Sequence, residues 1–328
     1  MKNIIFVLSL TLIALCIVSI SIGKYYIEPF TLVKILASKM VNIERDWADQ
    51  METVIWNIRL PRIIGAVAVG AGLSMSAAIL QSIFQNPLVS PFILGISSGA
   101  GFGACVAILL GTNRFILQIL VFTGGIIAVT LSCLLGKNCD KNSKLTMVLS
   151  GVIVGGFFTS LISALKYMAD PYAKLPEIVF WMMGSLAYIS TENILWILPV
   201  MIISMGILYF YGWKFNILSL GDYEAKSLGE DIGRLKAVGI IFTTLLVSAA
   251  VSISGVIGWV GLVVANIARI ITGPDLMKLI PVSALMGAIY LLFIDDLARN
   301  LTNVEIPLGI LTSLVGAPVF IYILKKND

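Results

Sequence analysis

Three arginines and two aspartates are the residues of this chain best suited to polar chemistry, and that chemistry is recognition of charge rather than bond making. Arg59 and Arg62 bracket Leu60 and Pro61 in the run RLPR, and Asp295, Asp296 and Arg299 fall within DDLAR. A guanidinium fork matches a carboxylate with two parallel hydrogen bonds and stays charged at ordinary pH. Asp295 precedes Arg299 by four residues, so on a helix the two share a face and can tie each other down. The other reading of all three arginines is as anchors whose long side chains reach the lipid interface.

The usual tools of catalysis are missing. The chain has no histidine, which removes the commonest general base at neutral pH and the commonest metal ligand. Its four cysteines, Cys16, Cys105, Cys133 and Cys139, form no CxxC pair and read as small residues in apolar runs, since a metal site needs clustered ligands. No GxxxxGK[ST] loop is present, so the chain has no phosphate cradle of that kind. The net charge of +4 is scattered, without a basic and aromatic cluster, which argues against nucleic acid as a partner. No enzyme, cofactor or metal site is expected.

The elements that position the charged residues are membrane spans. Apolar residues make up 59% of the chain and charged ones 12%, about half the charge of a soluble domain, so lipid must be the solvent. A span needs about 20 apolar residues. Ten candidates follow, at 3–23, 62–82, 92–111, 115–135, 145–166, 192–212, 237–256, 257–272, 280–299 and 305–324, the eighth short and glycine-punctuated. The first is too long for a signal-peptide core and lacks a small-residue cleavage site, so it reads as a retained helix. The apolar runs recur without a long polar interruption, and residues 1–328 read as a single transmembrane domain.

Ten spans place both termini on one side. Lys2, Lys137, Lys141, Lys144, Lys214, Lys226, Arg234, Lys236, Lys325 and Lys326 then share that side, against Arg114 in a short loop opposite. The positive-inside rule makes it the cytoplasm. The stretch from Lys24 to Arg62 is also basic, but it is long and carries less topological weight. Gly95, Gly99 and Gly103, and Gly151 with Gly155, recur at a four-residue step that lets helix backbones approach.

Two polar islands interrupt the pattern. Residues 24–61 form an external segment with a short amphipathic helix over Phe30–Met40. Residues 213–236 form the longest internal loop, in which Asp222, Glu224 and Ala225 lead a short helix, Gly229 ends it and Asp231 caps a second short one. Asn86–Pro87 between the second and third spans is a turn signal.

Four stretches carry a resemblance. RLPRIIGAVAVGAGLSMSAAILQSIFQNPLVSPFILGISSGAGFGA, LGDYEAKSLG, GWVGLVVANIARIITGPD and DDLARNLTNVEIPLGILTSLVGAPVFIYIL occur here in that order. They are similar to the signature segments of the iron-siderophore, haem and vitamin B12 permease family of ABC importers, and the likeness runs from about residue 20 to the C-terminus. The resemblance implies an all-α membrane fold of ten transmembrane helices, the type II importer permease. It implies a second permease subunit, identical or paralogous, two cytoplasmic ATPase subunits and an external substrate-binding protein, in the cytoplasmic membrane of a prokaryote.

By the same resemblance Arg59, Arg62 and Arg299 receive carboxylates of the docked binding protein. Gly221, Asp222, Glu224, Ala225, Leu228 and Gly229 belong to coupling helices, about 219–236, that sit in a cleft of the ATPase. Asn86, Pro87 and Leu88, with Ser143 and Lys144, narrow the path towards the cytoplasm. One departure stands out: Ala265-Asn266 replaces the Pro-His that precedes an arginine, here Arg269, in the family. The cargo implied is an iron-siderophore, haem or cobalamin-type chelate, with molybdate or tungstate as the alternative within the same fold. An ion-driven secondary transporter is the rival class. It needs ionisable residues paired near the midplane, and Asp295 and Asp296 lie near a helix end.

Overall fold

The computed structural model describes residues 2–39, 44–139 and 144–327, all of whose regular structure is helical. In chain order the helices are α1 (Lys2–Ser21), α2 (Pro29–Ala37), α3 (Asp49–Thr53), a π-helical turn (Val54–Arg59), α4 (Leu60–Ile83), α5 (Ile96–Leu109), α6 (Arg114–Cys139) and α7 (Lys144–Met168). They continue as α8 (Lys174–Met182), α9 (Thr191–Phe210), α10 (Gly212–Leu220), α11 (Asp222–Ser227), α12 (Ile232–Ser254), α13 (Val260–Thr272), α14 (Leu276–Asn300) and α15 (Leu308–Asn327). In hydrocarbon a helix satisfies its own backbone polar groups, which makes it the form that such apolar runs adopt.

Among the described residues seven helices are long and apolar enough to cross a bilayer: α1, the continuous stretch Asp49–Ile83, α6, α7, α9, α12 and α14. Shorter apolar helices, α5, α13 and α15, stand where the third, eighth and tenth spans are expected. The third is shorter than its apolar run because residues 87–95 are turns and irregular chain around Pro91, and proline disfavours helix at the residue before it. Two elements were not foreseen. α8 forms between the fifth and sixth spans, and residues 49–59, read as external chain, coil directly into α4.

α4 is the hub, buried along nearly its whole length and packed by α14, α12, α13 and α9. Gly65, Ala66, Ala68, Gly70, Ala71 and Gly72 keep its surface flat enough for that. At its crossing with α14, a Cβ on Gly70 would overlap the Gly287 carbonyl oxygen, and one on Gly287 the Gly70 oxygen. Gly99 and Gly103 meet the Gly124 and Leu120 carbonyls of α6 in the same way, whereas Gly95 turns away from that face and meets α7 at Gly151 and Gly155.

Gly287→Leu is therefore expected to cost more than the ~1–3 kcal/mol of ordinary overpacking, since the obstacle is backbone. Gly206→Leu, with nothing within 4 Å of its Cβ position, should be neutral by comparison. Melting of the detergent-solubilised protein, followed by size-exclusion chromatography, separates the two.

Candidate functional site

The charged residues gather at one end of the bundle. α4 begins there with Arg62 on its first turn, α14 ends there with Asp295, Asp296 and Arg299, and α1 arrives with Ser19. Arg62 donates from Nε and Nη2 to Asp295 at 2.9 Å each, and from Nη1 to Glu305 at 2.9 Å. Arg299 reaches Ser19 Oγ at 2.8 Å, approaches Asp295 at 3.5 Å and bonds Asp296, which also accepts from Ser19 Oγ at 2.7 Å. Arg59, at the end of the π-helical turn, donates to the backbone carbonyls of Ile20 and Tyr25. Among the described residues no carboxylate pairs with it.

Relative exposure is 0% for Asp295, 3% for Arg59, 5% for Arg62 and 7% for Arg299. These arginines are interior groups in the isolated subunit, not free forks at a lipid interface. The expected tie from Asp295 to Arg299 is present, but the principal partner of Asp295 is Arg62, 233 residues away. Glu305 and Ser19 complete the cluster. Neither was singled out in the sequence, because nothing local marks them. With Arg59, Arg62 and Arg299 against Asp295, Asp296 and Glu305, cations and carboxylates balance, and Glu305 is the most exposed carboxylate of the set, with 36% of its side chain exposed.

The opposite end is a set of short helices tied to long ones. The pair of short helices falls one helix earlier than the sequence suggested. α10 and α11 are joined at Gly221, whereas Gly229 ends α11 and Asp231 caps the long helix α12, its carboxylate accepting from the Arg234 N–H at 3.1 Å. Gly221 has φ +137°, and a Cβ there would run into the Glu224 carboxylate, so the corner requires glycine.

Ala225 of α11 is fully buried, while Tyr223, Glu224, Leu228 and Gly229 face outward. Asp222 pairs with Lys236 of α12 at 2.6 Å, and Lys214 of α10 pairs with Glu230 at 3.0 Å. Asn216 of α10 donates to Asp275 at 2.9 Å and accepts from the Leu276 N–H at 2.7 Å, which joins α10 to the start of α14. Gln85 donates to the carbonyls of Leu218 and Ser219 at 3.2 and 3.0 Å, which joins α10 to the end of α4. Gln85 itself has φ +49°, unusual for a residue with a side chain, and it too escaped the sequence reading.

The turn beyond Gln85 holds Asn86, Pro87 and Leu88. Asn86 Oδ1 accepts from the Leu88 N–H at 2.9 Å, and Leu88 is 46% exposed. Asn266 donates to Pro87 O at 3.1 Å and to Leu262 O at 2.7 Å, so the departure from Pro-His places an amide that fastens this turn to α13. Ser143 lies outside the described residues, and Lys144 opens α7.

The Asn216 hydrogen bond, with help from Lys278 and the Met277 N–H, holds the Asp275 carboxyl below the usual carboxylate range against a smaller effect of burial. A depressed folded-state pKa stabilises the protein above the unfolded value, and that contribution is lost as pH falls through the folded one. Asp275→Asn should therefore lower the melting temperature at neutral pH and flatten the acid side of its profile, the two proteins converging as pH falls below the ordinary carboxylate range.

A cavity of about 730 Å³ is lined by the apolar side chains of Phe92, Met182, Met183, Trp259 and Leu314, with the hydroxyls of Ser90, Ser97 and Ser313 and no charged group. Trp259 stands at its edge with φ +68°.

A helical membrane body with a set of short helices bound to three of its spans has the build of an ABC transporter permease subunit. The chain belongs to the FecCD transport family, whose pattern it matches over residues 11–326. It is 40% identical to a molybdate import system permease protein of Haemophilus influenzae, over 99% of this chain and 97% of that one. It is 37% identical to an Fe(3+)-citrate import system permease protein of Bacillus subtilis, over 98% and 94%. A solved structure described as a metal-chelate type ABC transporter in an inward-facing conformation superposes with a TM-score of 0.88 at 37% identity, covering 99% of this chain and 100% of that one. The family is one of transport subunits, and the chain is a multi-pass membrane protein.

Proposed function

We propose that this chain forms one half of an ATP-driven import path for a metal chelate of the siderophore, haem or cobalamin type. The observation that carries the ATP-driven reading is the wiring of α10 and α11. Through Gln85, Lys236 and Asp275 these helices grip α4, α12 and α14, so a push on their exposed face moves three spans together. The exposed Tyr223 and Leu228 give an ATPase a surface to hold. In this reading all ten apolar helices cross the membrane, both termini lie in the cytoplasm, residues 1–328 act as one permease domain, and a second permease subunit closes the path. Leu88, with Asn86, Pro87, Ser143 and Lys144, narrows it towards the cytoplasm.

An external binding protein docks over the arginine end. The cluster is charge-balanced, so an incoming carboxylate is best accommodated by exchange. It takes the place of Glu305 on Arg62, or adds to Arg59, which has only neutral acceptors.

For the cargo, the uncharged, largely apolar lining of the cavity favours a bulky chelate over a bare oxyanion, which needs donors and cations. The second reading, molybdate or a related oxyanion, is favoured by the full-length similarity to the Haemophilus influenzae permease. Reconstitution with a cognate ATPase and binding protein tests both. Proteoliposomes should accumulate labelled ferric siderophore, haem or cobalamin only with ATP, and the permease alone should neither hydrolyse ATP nor transport. Uptake without any ATPase would sink the ATP-driven reading, and uptake of molybdate alone would replace the chelate with the oxyanion.

A further inference from the structure

A second cavity, of about 620 Å³, lies where α6 and α9 begin, beside α8 and the end of α12. It opens at the arginine end of the bundle, since Ser185 there bonds the last turn of α12, Gly184 bonds Leu308 at the start of α15, and Ile189 covers Gly65 of α4. Its lining is unlike that of the first cavity. Arg114, Lys174 and Glu177 bring charge, Gln118 and Asn193 bring amides, and Phe180, Trp181 and Tyr188 form an aromatic side.

Gln118 is the informative residue. It is only 8% exposed, lines the cavity and makes no hydrogen bond within the described protein. Its amide is not sealed in the interior but faces the cavity, where it is available to bond a ligand. Arg114 stands one turn earlier on the same helix and uses a single donor, in a long 3.4 Å approach to the Tyr188 carbonyl. Lys174 lies 3.2 Å from Glu177, which leaves the lining with two cations to one acid. The N-termini of α6 and α9, helices of 26 and 20 residues, add the partial positive charge that favours anions.

The surroundings say what kind of molecule presents that anion. α6 and α9 both pack on α12, and close in sequence to the lining residues Arg114, Gln118 and Asn193 they expose Phe115 and Ile119 of α6 and Leu195 of α9, which are 60%, 48% and 67% exposed. Aromatic side chains at the mouth, Phe180 and Tyr188, are 64% and 78% exposed, as in the girdle where a membrane protein meets headgroups.

We infer that this cavity binds a phosphate-type oxyanion, presented by the headgroup of a phospholipid whose acyl chains lie along α6 and α9. The phosphate is held by Arg114, Lys174 and the Gln118 amide. A free inorganic oxyanion shares the headgroup's chemistry and is the other source. The inference does not depend on the cargo, and its test rests on the ATPase assembly of the proposed function.

The test uses the full permease–ATPase complex, delipidated in detergent and supplied with phosphatidylglycerol or phosphatidylethanolamine. Retained lipid is counted by native mass spectrometry. The wild-type complex should keep one phospholipid per permease subunit that the Arg114→Ala/Gln118→Leu variant loses, with at least a tenfold weaker apparent affinity in the variant. Gln118→Glu, isosteric and repelling to phosphate, should lose the same lipid, and it serves if the double variant fails to assemble. In a parallel arm inorganic phosphate is titrated against each complex. A phosphate-dependent rise in melting temperature that needs Gln118, with no lipid retained, keeps the oxyanion site and assigns it to the free anion. Equal lipid retention in well-folded wild type and variants, with no phosphate response in either, overturns the proposal.

Discussion

Replacing Asp295 with alanine should destabilise the permease by about 3–5 kcal/mol, the cost of leaving buried charge without its partner. Asp295 is fully buried and binds Arg62 through both carboxylate oxygens while facing Arg299 at 3.5 Å. Its removal strands one guanidinium against Glu305 alone and weakens the hold on the other. Arg62→Met should be comparably harmful, since it leaves Asp295 with Arg299 only at that longer distance. The double variant Arg62→Met/Asp295→Leu should recover much of the loss, because a buried ion pair replaced by apolar groups of similar volume is often close to neutral. A double-mutant cycle on melting in detergent reads the coupling directly. If the two single effects simply add, the pair is not the unit described here.

The second large effect is expected at the corner between α10 and α11. Gly221→Val places a branched side chain at φ +137° and against the Glu224 carboxylate. Backbone strain of this sort costs about 1–3 kcal/mol locally, which a bundle of this size tolerates. The lever itself should change its angle, and transport by the reconstituted complex should drop at least tenfold. ATP hydrolysis by the partner should continue but lose its response to the loaded binding protein. Lys226→Ala, on the exposed side of the same helix, should leave transport within about twofold. Matching losses in both variants would show that the corner is a surface feature and not a mechanical one.

Much of this architecture was legible because lipid imposes a coarse rule on sequence. The apolar runs gave the helices, and glycine spacing at Gly99 and Gly103 gave a real backbone crossing. The failures have a common physical cause. Gly95 shares the spacing but sits outside the helix, because Pro91 delays the start of α5. α8 is nine residues long and carries Glu177 and Lys174, too short and too polar to be read as a span.

In the charged cluster, the i, i+4 relation of Asp295 to Arg299 was visible, as local contacts are. The contacts of Arg62 with Asp295 and Glu305 join distant parts of the chain and have no local sign. The short-helix pair was misplaced by one element for a similar reason. Gly229 and Asp231 look like a helix end and a cap, as they are, but the helix that Asp231 starts is the long α12. Asn266, an oddity in the sequence, has a plain role once its amide is seen fastening the Pro87 turn.

The Arg62–Asp295 pair also has a consequence for how the protein is made. α4 leaves the ribosome long before α14, so Arg62 must enter the bilayer without the carboxylate that later neutralises it. An arginine at the centre of an inserting helix costs roughly 2.5–3.5 kcal/mol on insertion scales, and this one lies on the first turn, where its side chain can still reach headgroups. The charge is thus carried at the interface during synthesis and drawn inside only when α14 arrives. A chain stopped before Asp295 would leave Arg62 without the carboxylate that neutralises it in the finished fold.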